Sequence, residues 1–356
     1  MAALSRDTRA VSEVVGAVII FGFLIIALST YQAVSVPAQN ADIEFEHYGT
    51  IQDDLTELQS AMVTAAESGT TRSVPLDLGP EYPPRIVAIN GPPAAGQLRT
   101  ESVGTGNITS SSIGLNSLCR LKAGTAEAVP TQRINYQSGY NYFEGGNLPN
   151  RIEQTVLYQA SPPSGGVVTR TDQSFVDTTG RTVSLYPVTG TLQASGTQTT
   201  AVRVVGGYSQ SRTVSDGTVT IPTALPATVW RAQLNAAESE ITVTDTGENE
   251  VTVTFSGDWT FQCTPVGLGS APDQLPTAAA GPDSRVTEGS TVALDGTASE
   301  PRERLTYDWT FSGSPPAGVE LVDEATPTPI VDASAADVSS ATPVDIQLEV
   351  GDTDGN

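Results

Sequence analysis

The side chains able to do chemistry in this chain are few and far apart. One histidine, His47, and two cysteines, Cys119 and Cys263, are its whole stock of imidazole and thiol groups. A serine–histidine–carboxylate arrangement would have to use His47, whose neighbours Glu44 and Glu46 read as solvated charge. The sequence holds no G-x-S-x-G, no G-x-x-x-x-G-K-[ST], no H-E-x-x-H and no glycine-rich turn in a strand-to-helix setting. One histidine and two isolated cysteines make no zinc set. Carboxylates are plentiful, yet none stands out as a hydrolytic pair. Asp352 and Asp354 are calcium candidates, set against the plainer reading of a solvated acidic turn. No cofactor is implied and no enzymatic activity is expected. Outside the cell Cys119 and Cys263 could pair with each other.

The charge balance says more. Forty acidic residues face 17 basic ones, for a formal net charge of −23, and lysine occurs once, at Lys122. Carboxylates hold water and hydrated cations well, and at molar salt the Debye length falls to roughly 3 Å, so their mutual repulsion is screened. This fits a protein of a haloarchaeon, with an acidic secreted protein from a high-GC organism as the alternative. Without a basic patch to neutralise phosphates, nucleic acid is excluded as a partner.

What positions the rest begins at the N-terminus. From Val14 to Val36 no charge occurs. As a helix this run spans roughly 35 Å, enough for a hydrocarbon core of about 30 Å. Arg6 and Arg9 precede it and Asp42, Glu44 and Glu46 follow it, which predicts a cytoplasmic N-terminus and an external remainder. Three fates compete: a secretory signal cut near Ala33-Val34-Ser35, a permanent signal-anchor, or a signal cut ahead of the apolar run. Further on, Ile51, Leu55, Leu58, Met62 and Ala65 recur at alternating steps of four and three, one apolar stripe on a helix, with Asp53, Asp54 and Glu57 on its other face. The stripe would pack on the chain's own β domain or on helices of sister subunits. Pro37 should kink or briefly interrupt this helix, and Gly69 should end it.

The stretch DTRAVSEVVGAVIIFG resembles the N-terminus of haloarchaeal type IV pilin-like proteins. Arg9 and Ala10 match the recognition pair for a prepilin peptidase, Val11 would be the first mature residue, and Val14, Val15 and Gly16 match the apolar opening. Glu13 stands where many such pilins have proline, a departure shared by a branch with larger ectodomains. The resemblance implies assembly through the helix, with Glu13 and Gly16 in the packing surface. Glu13 would then pair with a neighbour's new α-amine. Otherwise it lies at the headgroup boundary, or in the first turn where a carboxylate suits the helix dipole.

From Thr71 to about Gly269, short apolar runs alternate with Gly, Pro, Ser and Thr. RIVAING, QTVLYQA, TVSLYPV, TAVRVVGG and GTVTIP each read as a strand. EITVTDTGENEVTVTF reads as a hairpin with Ile241, Val243, Val251, Val253 and Phe255 on its inner face. Tyr136, Tyr140, Tyr142 and Phe143 are either half-buried core at a sheet edge or an exposed surface for sugars or a partner. Asn107-Ile108-Thr109 is a glycosylation sequon. Residues 270–279 read as a Pro/Ala/Gly linker. After it, AGPDSRVTEGSTVALDGTASEPRERLTYDWTFSG and PVDIQLEVGDTDGN resemble a PKD domain, an Ig-like β-sandwich. That resemblance implies a spacer or adhesion module with Trp309 in its core. An acidic, glycine-bearing turn is replaced here by SEPRERL, and a further strand is expected beyond Asn356.

The expected architecture is mainly β with a long N-terminal α-helix: leader 1–10, helix 11–69 (transmembrane 14–36, amphipathic 43–67), β-sandwich ectodomain 70–269, linker 270–279 and an incomplete Ig-like sandwich 280–356. The expected function is that of a pilin-like, membrane-inserted extracellular structural or adhesion subunit of a haloarchaeon. Its expected partners are the membrane, sister subunits and surface glycans or the S-layer. The alternatives are a permanently anchored single-pass surface protein and a secreted enzyme.

Overall fold

The computed structural model describes residues 9–160, 166–234, 240–301 and 305–352. Residues 1–8 of the expected leader, residues 302–304 and the calcium candidate Asp354 lie outside the described residues.

Helix α1 (Arg9–Thr30) and helix α2 (Val36–Ser68) run on through one wide π turn, Tyr31–Ser35, so that Glu13–Ser68 is a single helical rod. The interruption expected at Pro37 takes the form of that turn. The Val36 N–H reaches back five residues to the Tyr31 carbonyl. Pro37 has no N–H to donate, and in a regular α-helix its ring would strike the carbonyl four residues back; the wider turn relieves this. The rod ends at Gly69, left-handed at φ 61°, whose N–H bonds the Ala65 carbonyl.

Ile51, Leu55, Leu58, Met62 and Ala65 are all buried, and α2 lies on the strands Thr71–Asp77 and Thr199–Gly206. The stripe therefore faces the chain's own sheets. The approach is closest at Gly206, where a Cβ would stand 1.9 Å from the Ala65 carbonyl oxygen; no residue but glycine lets strand and helix meet there. Asp54, expected on the wet face, is half-buried instead, and its carboxylate accepts the Asp77 N–H at 2.9 Å.

The β region holds four sheets around one core. The helix-bearing sheet has the order Thr71–Asp77, Thr199–Gly206, Val266–Leu268, Val188–Thr189. A second runs Gln210–Ser215, Asp258–Cys263, Thr182–Leu185, Val176–Asp177. Two of these pairings, Thr182–Leu185 with Asp258–Cys263 and Val188–Thr189 with Val266–Leu268, are parallel. The third sheet has six strands, Gln193–Gly196, Gly96–Glu101, Arg133–Gln137, Asn150–Glu153, Val156–Ala160 and Val167–Thr169. The fourth carries the expected hairpin, Ile241–Gly247 with Glu250–Phe255, followed by Thr218–Pro222, Asn107–Thr109 and Ala128–Pro130. Alternation puts Ile241, Val243, Val251, Val253 and Phe255 inside. Helix α3 (Leu115–Cys119) and helix α4 (Ala227–Gln233) fill corners, the latter burying Trp230 against Phe175. A disulfide joins Cys119 to Cys263.

Two sequence expectations fail here. RIVAING is not a strand. It is a bent loop set between the proline pairs Pro83-Pro84 and Pro92-Pro93, which offer no N–H to a ladder. Residues 270–279 are not a free linker: Gln274 is buried, Leu121 bridges Gln274, the Lys122 N–H bonds the Asp273 carbonyl at 3.0 Å, and Arg120 and the Tyr208 hydroxyl bond the Leu275 carbonyl. Its Ala and Pro residues look like linker composition, but the backbone carbonyls of Asp273 and Leu275 find donors on the sheet domain.

The C-terminal unit has a three-stranded sheet, Thr291–Ala293, Ile330–Asp332 and Glu320–Val322, and a two-stranded one, Leu305–Phe311 with Ile346–Asp352. Trp309 is buried opposite Leu348, and Gly296 lies against both. Asp352 forms an ion pair with Lys122, which also pairs with Asp273 at 3.0 Å; this calcium candidate thus faces the one lysine.

Candidate functional site: an unburied helix and its polar collar

The rod changes character along its length. In α1 none of the most apolar stretch is buried against the rest of the chain; Val14, Val18, Ile20, Phe21, Phe23 and Ile26 all face outward. It is the one helix among the described residues long and apolar enough to cross a membrane. Glu13 is exposed, and a Cβ on Gly16 would meet nothing within 4 Å, so both stand on open helix surface. The backbone of Arg9, Ala10 and Val11 is already helical.

Below the π turn the buried face begins earlier than the apolar stripe. Counting back from Ile51 by the same steps of three and four reaches His47, Glu44, Asn40 and Val36, and all four are buried. The polar members of this extended stripe meet two loops that close round the rod as a collar. Glu44, expected in solvent, is fully buried. One carboxylate oxygen accepts the N–H groups of Tyr142 at 2.8 Å and Phe143 at 2.6 Å. The other accepts the N–H of Asn141 at 2.8 Å and the Tyr82 hydroxyl. Three successive amides converging on one carboxylate form an anion cradle, and they compensate the loss of water that burial would otherwise make costly. Glu46, by contrast, is exposed as expected.

His47 lies one turn further on. Its Nε2 is 3.0 Å from the Asp77 carbonyl and its Nδ1 is 2.6 Å from the Tyr140 hydroxyl. A carbonyl only accepts, so Nε2 carries the proton and, in the neutral ring, Nδ1 accepts from Tyr140. Burial pushes the His47 pKa below its ordinary value, against smaller opposing effects of the Asp77 carbonyl and the Asp77 and Asp54 carboxylates. Both nitrogens are thus committed to structure. Of the aromatic cluster, Tyr136 and Tyr140 are core, the Tyr136 hydroxyl donating to the Leu78 carbonyl at 2.8 Å. Tyr142 and Phe143 are half-buried, and Phe143 lies edge-on to Phe45 at 5.3 Å.

The second collar loop is the one misread as a strand. Its Arg85 guanidinium donates to Gln39 at 2.6 Å, to the Tyr31 hydroxyl at 3.1 Å and to Asn40 at 2.9 Å. Beyond it, the Gln32 side chain both donates to the Ile89 carbonyl and accepts the Ile89 N–H, each at 2.8 Å. The rod is thereby fixed to the sheets at the level where the exposed apolar segment stops.

Elsewhere, buried Glu153 accepts from Tyr158 at 2.6 Å, Thr223 at 2.7 Å and the Ala224 N–H at 2.9 Å, and pairs with Arg133 at 3.2 Å. Every bond is intramolecular and serves the fold. Asn107 is half-exposed, and its Nδ2 donates to the Thr105 carbonyl at 3.1 Å. No group of three or more His, Cys, Asp or Glu able to hold a metal occurs among the described residues.

The collar's signal was present in the sequence as spacing. A stripe traced through polar as well as apolar residues would have found Glu44 and His47.

No family model matches the chain, and no solved structure matches it. It is similar to an uncharacterized protein of Archaeoglobus fulgidus, 30% identical over 93 residues. That match covers 26% of this chain and spans only 16% of the relative's length.

Proposed function

We propose that this chain is a pilin-like structural subunit of a salt-adapted archaeal cell, inserted in the membrane through α1 and displaying its β domains outside for adhesion or surface assembly. The observation that carries the reading is the rod itself: an apolar half with no intramolecular cover, continuous with a half that is the spine of the β domain. The flanking charges orient it with the β domains outside. The disulfide suits an oxidising exterior. On this reading prepilin peptidase cuts between Ala10 and Val11, freeing the helix from its basic flank. Glu13 and Gly16 then lie in the contact between sister helices, and the PKD-like unit after residue 280 acts as a spacer or adhesive tip. The protein has no catalytic role; its partners are lipid, sister subunits and surface glycans or the S-layer.

The collar favours a second reading, a permanently anchored single-pass surface protein, because it seats the β domain directly at the end of the apolar segment. N-terminal sequencing of the mature protein with cell fractionation separates the two. A start at Val11 with recovery in sheared filaments is expected for the first, and an intact Met1 or Ala2 in the membrane fraction for the second. A start beyond Ser35 in the medium sinks both.

A further inference from the structure

The collar loop between Pro83 and Pro93 has a face that the collar does not use. Ile86, Val87 and Ile89 are 102, 66 and 80% exposed. Single exposed apolar residues are ordinary, but three within four residues at one loop tip form a patch. The tip does not hang loosely. The Asn90 side chain donates to the Pro83 carbonyl at 2.8 Å and accepts from Arg85 Nε at 2.8 Å, tying the base of the loop shut.

Its position along the rod decides what it meets. Ile89 is clamped to Gln32, which lies about 27 Å along the helix from Val14 at 1.5 Å per residue. With Val14 at the inner edge of a hydrocarbon layer about 30 Å thick, Gln32 and Ile89 reach its outer edge. Ile89, the clamped residue of the tip, is prepared for that depth. Unpaired backbone groups are costly in lipid, and Gln32 satisfies both the N–H and the C=O of Ile89. No charged residue occurs between Arg85 and Arg99. Arg85 keeps its guanidinium on Tyr31, Gln39 and Asn40, and arginine with tyrosine is the pairing expected at the water–lipid boundary.

We propose that the Ile86–Ile89 tip rests in the outer lipid–water interface beside α1, with its apolar side chains turned into the acyl chains and its backbone at the headgroup level, a second membrane contact that sets the height and tilt of the β domain. This rests on the reading of α1 as membrane-spanning. The test uses the full-length chain, one copy per nanodisc of phosphatidylcholine and phosphatidylglycerol, with a nitroxide at Val87→Cys, Ile20→Cys or Glu248→Cys in turn. Each position is exposed, so the labels leave the core untouched. Collision rates with oxygen, which concentrates in lipid, and with a water-soluble nickel chelate are then compared. Val87 should follow Ile20, with oxygen exceeding nickel, while Glu248, exposed in the turn of the Ile241–Phe255 hairpin, shows the reverse. If Ile20 reads as lipid and Val87 reads as water, the tip proposal is overturned and the spanning helix stands. A Val87 label shielded from both reagents means cover by protein and also overturns it. An Ile20 label that reads as water removes the spanning helix and the proposal together.

Discussion

The two halves of the N-terminal rod are built from the same backbone and meet opposite surroundings. Val14 to Thr30 shows its apolar side chains in all directions and has none of them buried by the chain, whereas Val36 to Ala66 buries one meridian and leaves the other wet. An all-round apolar helix has no preferred partner within its own fold; its orientation must come from outside. A one-sided helix carries its orientation with it. The change from one to the other happens at the π turn and collar, where polar groups are buried but nearly all are bonded. The end of the apolar segment and the docking of the β domain are thus one structural problem, solved by Asn40, Glu44 and His47 with the loops at Arg85 and Asn141.

That contrast can be broken deliberately. Leu58→Ala should cost about 3 kcal/mol in denaturant unfolding of the detergent-solubilised chain, because it leaves a cavity in a packed core. Leu24→Ala in the exposed half should leave the same transition in place. All three tryptophans are buried in the β domains, so their fluorescence follows those domains alone; equal losses for the two variants would refute the division of labour. Glu44→Gln aims at the junction. It turns a donor toward the backbone donors and removes the charge, and should cost about 2 kcal/mol. Faster exchange of the Asn141, Tyr142 and Phe143 amides should accompany the loss, and unchanged exchange would mean the cradle is unimportant. The smallest effect is on pH. His47 has its pKa depressed from 6.5 by burial, so the unfolded chain binds more protons than the folded one below that value. Stability from His47 is complete above about pH 6.5 and is lost as pH falls through the folded pKa. Asp54 works the other way at lower pH: burial raises its pKa from 3.8, so its share of stability is present in acid and lost as pH rises. His47→Gln should flatten the slope just below pH 6.5; an unaltered slope would show that another group governs it.

Periodicity made some of this legible beforehand. The hairpin from Ile241 to Phe255 alternates strictly, and the stripe from Ile51 to Ala65 has helical steps, so both could be read from local text. The collar could not be read from hydropathy, because Asn40, Glu44 and His47 look like surface residues until their loop partners, far away in sequence, are known. RIVAING misled for the opposite reason: it has strand composition, but its flanking prolines and the clamp from Gln32 hold it as a loop. The parallel pairings of Thr182–Leu185 and Val188–Thr189 depend on strands some 78 residues further on, and nothing local announces them.

The widened turn at Tyr31–Ser35 has a consequence for how such a rod can change. A turn of this kind holds one more residue than an α-helical turn. With Pro37 replaced, losing that residue would restore regular winding and leave the two halves facing as they do, because the extra residue is taken up within a single turn. Losing one from the regular helix before it would instead swing the apolar half by about 100° about the axis. The wide turn is thus a place where the rod could gain or lose a codon while the sides of the rod that face the collar and the sheets stay aligned.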